Sequence, residues 1–178
     1  MDFRDVTLQA ITDFSEQLDA ALDGLTPEGW RWRPTPSANH ILWTVWHLTR
    51  VEDMWINRYL SEGDIVWRTR GWADRFGMPA HDRGGFGDTP EQVGAFPDVS
   101  PELIAGYRAD VLASAGPVIR GLSEADLTNT YPERNPFRPR PAPTVAWVLA
   151  RISVECSQHI GQVAYIRGLM PEQENWRT

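Results

Sequence analysis

Residues 144–169, TVAWVLARISVECSQHIGQVAYIRGL, decide how this chain folds. Val145, Val148, Leu149, Ile152, Val163 and Ile166 recur at the spacing of a single helix face. Glu155 and His159 stand four residues apart, one turn along that same face. A carboxylate and an imidazole aimed into an apolar core are costly unless something pairs with them. A metal ion pairs with both, and the natural third ligand is His47, on another predicted helix.

Working outward, the apolar pattern predicts further long helices over 3–23, 37–60 and 100–121. In the second of these, Ser37 is the expected cap and Gly63 the stop. Placed at roughly 100° per residue, Ile41, Trp43, His47, Leu48, Val51, Met54, Trp55 and Tyr59 share one broad arc. His47 therefore faces the core, whereas Glu52 and Asp53 fall off its face and read as solvated or interhelical charges. Pro117 late in the third helix predicts a kink or an early end. The segment 26–36, with three prolines, reads as an extended loop. Residues 61–99 read as a long ordered loop with one short helix from Thr89 or Pro90. Its Arg75, Phe76, Arg83 and Phe86 are placed to cover a pocket, and a loop of such length in a small domain usually has a function. Residues 129–142 form a second proline-rich loop. No stretch sustains the alternation of a strand. Four long amphipathic helices on long connections define an all-α chain, a four-helix bundle in a single domain over 1–178.

Composition bounds the function. The chain has 178 residues, 42% apolar and 23% charged, ordinary values for one domain with a real core. The net charge of −7, with no basic run, argues against nucleic-acid binding. One cysteine excludes an internal disulfide and fits a reducing compartment. The N-terminus lacks the basic-then-apolar pattern of a signal peptide, and charges interrupt every apolar run before membrane-spanning length. The expected location is the cytoplasm. Nine tryptophans are the unusual feature, with Trp30, Trp32, Trp43 and Trp46 close together. They serve as core rings, as walls of a ligand pocket or, with the proline-rich loops, as a homodimer surface.

His47, Glu155 and His159 offer two imidazoles and one carboxylate, a donor set suited to Zn²⁺, Ni²⁺ or Fe²⁺. Three protein ligands leave coordination positions open, as catalytic sites do. Cys156, next to Glu155 but about 100° round the helix, reads as an inert core thiol. His40 and His81 read as exposed or structural. Arg50 and Arg167 lie near the two motif helices and are candidates for binding an anionic ligand.

Residues 32–48, WRPTPSANHILWTVWHL, together with 158–169, QHIGQVAYIRGL, resemble the DinB-like superfamily. The resemblance is stronger to its mycothiol-transferase branch, which is related to the mycothiol-dependent maleylpyruvate isomerases; the loop GWADRFG at 71–77 is similar as well. This resemblance spans most of the chain. It implies a DinB/YfiT-like four-helix bundle holding one divalent metal on His47, Glu155 and His159, with zinc favoured and nickel next. Many members carry histidine where Glu155 stands, and the isomerase branch is similar in using His, Glu and His. It also implies a low-molecular-weight thiol such as mycothiol as co-substrate, held as thiolate for attack on a small electrophile. Related bundles often pair, which supports the homodimer. Two alternatives stand beside this: a non-catalytic stress-response bundle whose metal is structural, and a hydrolase whose metal activates water.

Overall fold

The computed structural model describes residues 1–81, 83–137 and 140–171. The described chain is helical, in the order α1 (Phe3–Leu22), α2 (Pro27–Arg31), α3 (Ile41–Asp53), α4 (Val66–Thr69), α5 (Trp72–Arg75), α6 (Pro90–Gly94), α7 (Pro101–Arg120) and α8 (Val145–Gly168). Short 3₁₀ turns at Glu124–Thr128 and Pro132–Arg134 connect α7 to α8. α1, α3, α7 and α8 form the all-α bundle that the sequence predicts, with α3 packed on both α7 and α8, and α1 on α7 and α8. Among the described residues no helix is long and apolar enough to cross a membrane.

The helix starts follow from local chemistry. Asp2 and Asp5 form a reciprocal capping box on α1. Ser100 caps α7, with Pro101 at its first position, and Thr144 caps α8 by accepting from Trp147 N–H. α3 begins at Ile41 rather than near Ser37, because the buried His40 ring caps it: Nδ1 accepts from Trp43 N–H and Nε2 donates to the Val93 carbonyl. His40 is thus structural. Thr26 and Pro27 start a short α2 in the segment that reads as extended from its prolines. α7 runs through Pro117 to Arg120, so the proline does not end it early.

α3 differs most from its one-arc reading. Every residue from Ile41 to Asp53 is buried, and the helix continues as a π-helix over Met54–Leu60. α3 sits between the other long helices on one side and the 61–96 segment on the other, whose α4 and α5 carry Trp67, Trp72 and Phe76 into the core. Arg50 Cζ lies 4.7 Å from the Trp67 ring. Glu52 and Asp53 are interhelical but not solvated. The Asp53 carboxylate accepts from Val66 N–H, Trp67 N–H, Tyr107 Oη–H and Asn57 Nδ2–H, tying α3 to α4 and α7.

Most tryptophans are core rings: Trp30, Trp43, Trp46, Trp55, Trp67 and Trp72 are all buried. Trp147 is 49% exposed, and Trp176 lies outside the described residues.

Candidate metal centre

α3 and α8 bring His47, Glu155 and His159 together, with one potential donor atom from each lying within 4.8 Å of the others. His159 Nε2 is 3.0 Å from Glu155 Oε1, and His47 Nε2 is 3.9 Å from the same oxygen. Around a tetrahedral ion with bonds of ~2.0–2.1 Å, donor atoms sit roughly 3.3 Å apart. The cluster is therefore close to a coordinating arrangement and needs only small rotations to reach one.

The far side of the His47 ring fixes its tautomer. His47 Nδ1 bonds the Gly84 carbonyl, which can only accept, so Nδ1 carries the proton and Nε2 presents a lone pair. His159 Nδ1 lies 2.8 Å from Gln162 Oε1 and its Nε2 3.0 Å from Glu155 Oε1, so each ring nitrogen has a polar partner. His47 Nε2, His159 Nε2 and a carboxylate oxygen thus converge on one spot, a donor set suited to a cation. This outer layer of acceptors is the arrangement that orients histidine ligands on metals. Arg151, one turn before Glu155, bonds the other carboxylate oxygen, Oε2, and leaves Oε1 to face the histidines.

Electrostatics set the protonation states to match. Burial lowers the His47 pKa, against the raising effect of the Gly84 bond and Glu155, and keeps the ring neutral. Burial pushes the Glu155 carboxyl up, but the His159 contact, Arg151 and His47 outweigh it and hold it below its usual value. Trp43 stacks flat on His47 at 4.8 Å and 5°, while Phe86 meets the same ring edge-on at 5.0 Å.

The loop before α6 completes the wall. Gly85 has φ +87°, and a Cβ there would lie 2.8 Å from the Trp43 ring, 2.9 Å from Trp46 and 3.3 Å from His47 Nδ1, so only glycine brings the backbone this close. Asp88 accepts from Trp43 Nε1–H and Arg83. Of the four loop residues expected to cover a pocket, Phe86 lies at the cluster, whereas Phe76 packs on Trp67 and Tyr107, Arg75 on Trp72, and Arg83 bonds Asp88.

Glu155 opens on a pocket of about 700 Å³ walled by Trp55, Phe86, Phe137 and Trp147, with Arg140 and Arg151 on its lining. A larger cavity, about 830 Å³, lies between α1, α2 and the start of α7. It holds none of the cluster residues, and its arginines are paired internally, Arg108 with Asp19 and Arg31 with Asp98. The smaller pocket is the one next to chemistry.

Arg50 and Arg167 are committed to internal partners. Arg50 is fully buried, donates to the His81 carbonyl and lies 3.7 Å from Asp53. Arg167 Nη1 donates to the Ala21 carbonyl at the end of α1. Arg151 is the arginine that reaches the cluster; its i,i+4 spacing to Glu155 is the signal that would have marked it.

Cys156 is buried and donates its S–H to Glu52 Oε1 at 3.3 Å; burial and the Glu52 charge raise the thiol far above its usual range. It is no nucleophile. Burial in turn pushes the Glu52 carboxyl from 4.5 to about 6, against the Cys156 bond and Arg108. The folded chain therefore holds that proton more tightly than the unfolded one, so the penalty is absent below about pH 4.5 and fully present above about pH 6. Glu52→Gln is expected to raise stability by about 2 kcal/mol at about pH 8 and by little at about pH 4, read from paired urea denaturations.

Fold and cluster together define a class, the helical bundle with metal-type donors in its interior. The chain belongs to the DinB superfamily, whose sequence profile matches residues 10–163. The chain is similar in fold to a conserved protein from Enterococcus faecalis of known crystal structure, with a TM-score of 0.81 and 21% identity over 95% of this chain and 97% of that one. No curated protein matches the chain in sequence.

Proposed function

We propose that this protein is a metal-dependent transferase of a low-molecular-weight thiol, of the mycothiol-transferase kind, acting on a small electrophile. The observation that carries the reading is the convergence of His47 Nε2, Glu155 Oε1 and His159 Nε2 beside an open pocket. Three donors leave positions for an exogenous ligand. Zinc suits two imidazoles and a carboxylate best, with nickel next. A divalent ion bound there supplies a Lewis acid that holds a coordinated thiol as thiolate at neutral pH.

The chain's own residues do the rest. Burial keeps His47 neutral, and its Nδ1 bond to the Gly84 carbonyl turns Nε2 toward the cluster. Arg151 keeps Glu155 to a single free oxygen. Cys156 is sealed against Glu52 and cannot compete with the incoming thiol. In the transfer, the thiol proton leaves to solvent, the sulfur lone pair forms the S–C bond, and the leaving group departs with its bonding pair. Water activation is disfavoured, because Glu52 and Asp53, the carboxylates it would use as base, are turned to Cys156 and to Tyr107 and α4.

The test compares chelator-stripped protein with protein reloaded with Zn²⁺ or Ni²⁺, using mycothiol and a fluorogenic chloro-bimane. Expected are one ion per chain and thiol conjugation that appears only on reloading. Metal that raises the melting temperature without any thiol-dependent turnover would favour a structural ion instead.

A further inference from the structure

We infer that the pocket beside Glu155 is a subsite for a flat, conjugated or aromatic substrate carrying an anionic group, with Arg140 as its charge partner. The walls are a continuous run of rings. Trp147 meets Trp55 at 5.8 Å, Trp55 meets Phe137 at 5.0 Å, Phe137 meets Phe86 at 4.7 Å, and Phe86 meets His47 at 5.0 Å. These edge and tilted contacts link the pocket walls to His47 of the cluster. They offer a planar molecule successive ring faces and edges, the arrangement aromatic groups prefer. Phe86 and Trp147 are 44% and 49% exposed although large and apolar, as expected of rings that await a ligand face rather than core neighbours.

The polar lining selects charge. Arg151 is tied to Glu155 Oε2 and is not free for substrate. Arg140 is exposed and lines the pocket, and its backbone carbonyl is held by a buried side chain. Asn135, 3% exposed, donates from Nδ2 to the Arg140 carbonyl at 2.9 Å, and its Oδ1 accepts from Phe137 N–H at 3.0 Å. One buried amide thus anchors the backbone of both a wall residue and Arg140. A guanidinium at the mouth of an aromatic slot recognises a carboxylate, sulfonate or phosphate on a flat apolar body.

That such a molecule is the electrophile rests on the thiol-transfer reading; the binding itself does not. The test uses two dyes, 8-anilinonaphthalene-1-sulfonate and its neutral analogue N-phenyl-1-naphthylamine, with fluorescence as readout on metal-loaded and chelator-stripped protein. Wild type is expected to bind one of each dye per chain, equally with and without metal. Arg140→Ala weakens the anionic dye about tenfold, the scale of one charge-assisted bond at an accessible site, and leaves the neutral dye unchanged. Trp147→Ala, at a half-exposed position, weakens both dyes. Equal binding of the anionic dye by wild type and Arg140→Ala overturns the charge assignment, and dye binding untouched by Trp147→Ala overturns the subsite. Because both dyes are read without metal, failure of the thiol chemistry leaves this result standing, and failure here leaves the thiol chemistry standing.

Discussion

Asp53→Ala is expected to lower the unfolding free energy by about 3–5 kcal/mol, the cost of leaving a buried charge without its partner. Asp53 is fully buried and satisfies donors from three elements: Val66 and Trp67 N–H at the start of α4, Tyr107 Oη–H on α7, and Asn57 Nδ2–H one turn along its own helix. Burial raises its pKa, while those hydrogen bonds act against the rise. Arg50, also fully buried, lies 3.7 Å away. Alanine removes the acceptor from all of these donors at once and strands the Arg50 guanidinium among Trp67, Tyr107 and the His81 carbonyl. A whole domain is stable by only about 5–15 kcal/mol, so the loss is a large share. Urea denaturation should show a lower midpoint at unchanged slope. A loss below about 1 kcal/mol would mean that water replaces Asp53 and that the α3–α4–α7 junction is looser than its hydrogen bonds indicate.

That junction shows where sequence reading stops. The long helices are legible because caps and apolar repeats are local: Ser100-Pro101 and Thr144 mark real starts. The metal-type cluster is legible for the same reason, since Glu155 and His159 share a helix turn and His47 falls on the apolar arc of α3. Periodicity assumes one buried face, however, and α3 has none exposed, because α2, α4 and residues 84–96 cover what would be its outer side. Glu52 and Asp53 were therefore legible as off the His47 face but not as buried. Arg50 and Arg167 are near the motifs in sequence, yet their side chains reach the His81 and Ala21 carbonyls. The pocket walls come from Phe86 and Phe137, brought together by two loops with no repeat to announce them.

Glu155→Gln should weaken Zn²⁺ binding by more than about 100-fold, whereas Arg151→Ala should weaken it by about 10–100-fold, the range for losing an outer partner of a ligand. The two substitutions touch the same carboxylate from opposite sides. Glutamine keeps the shape of Glu155 but removes the charge that attracts a divalent ion, and it leaves two neutral imidazoles as the only strong donors. Alanine at Arg151 leaves the carboxylate charged and in place but frees Oε2, which Arg151 now holds. The carboxylate is then free to swing away from the histidines or to bind through both oxygens. Competition with a chromophoric chelator at fixed pH measures both affinities, with His47→Ala as the reference for a lost imidazole ligand. The order of effects decides the site: His47→Ala and Glu155→Gln together at the bottom, with Arg151→Ala between them and wild type, makes Glu155 a ligand. Equal, small effects of Glu155→Gln and Arg151→Ala would instead make the carboxylate only a hydrogen-bond anchor for His159, which it meets at 3.0 Å, and the bundle would hold its ion, if any, through histidine alone.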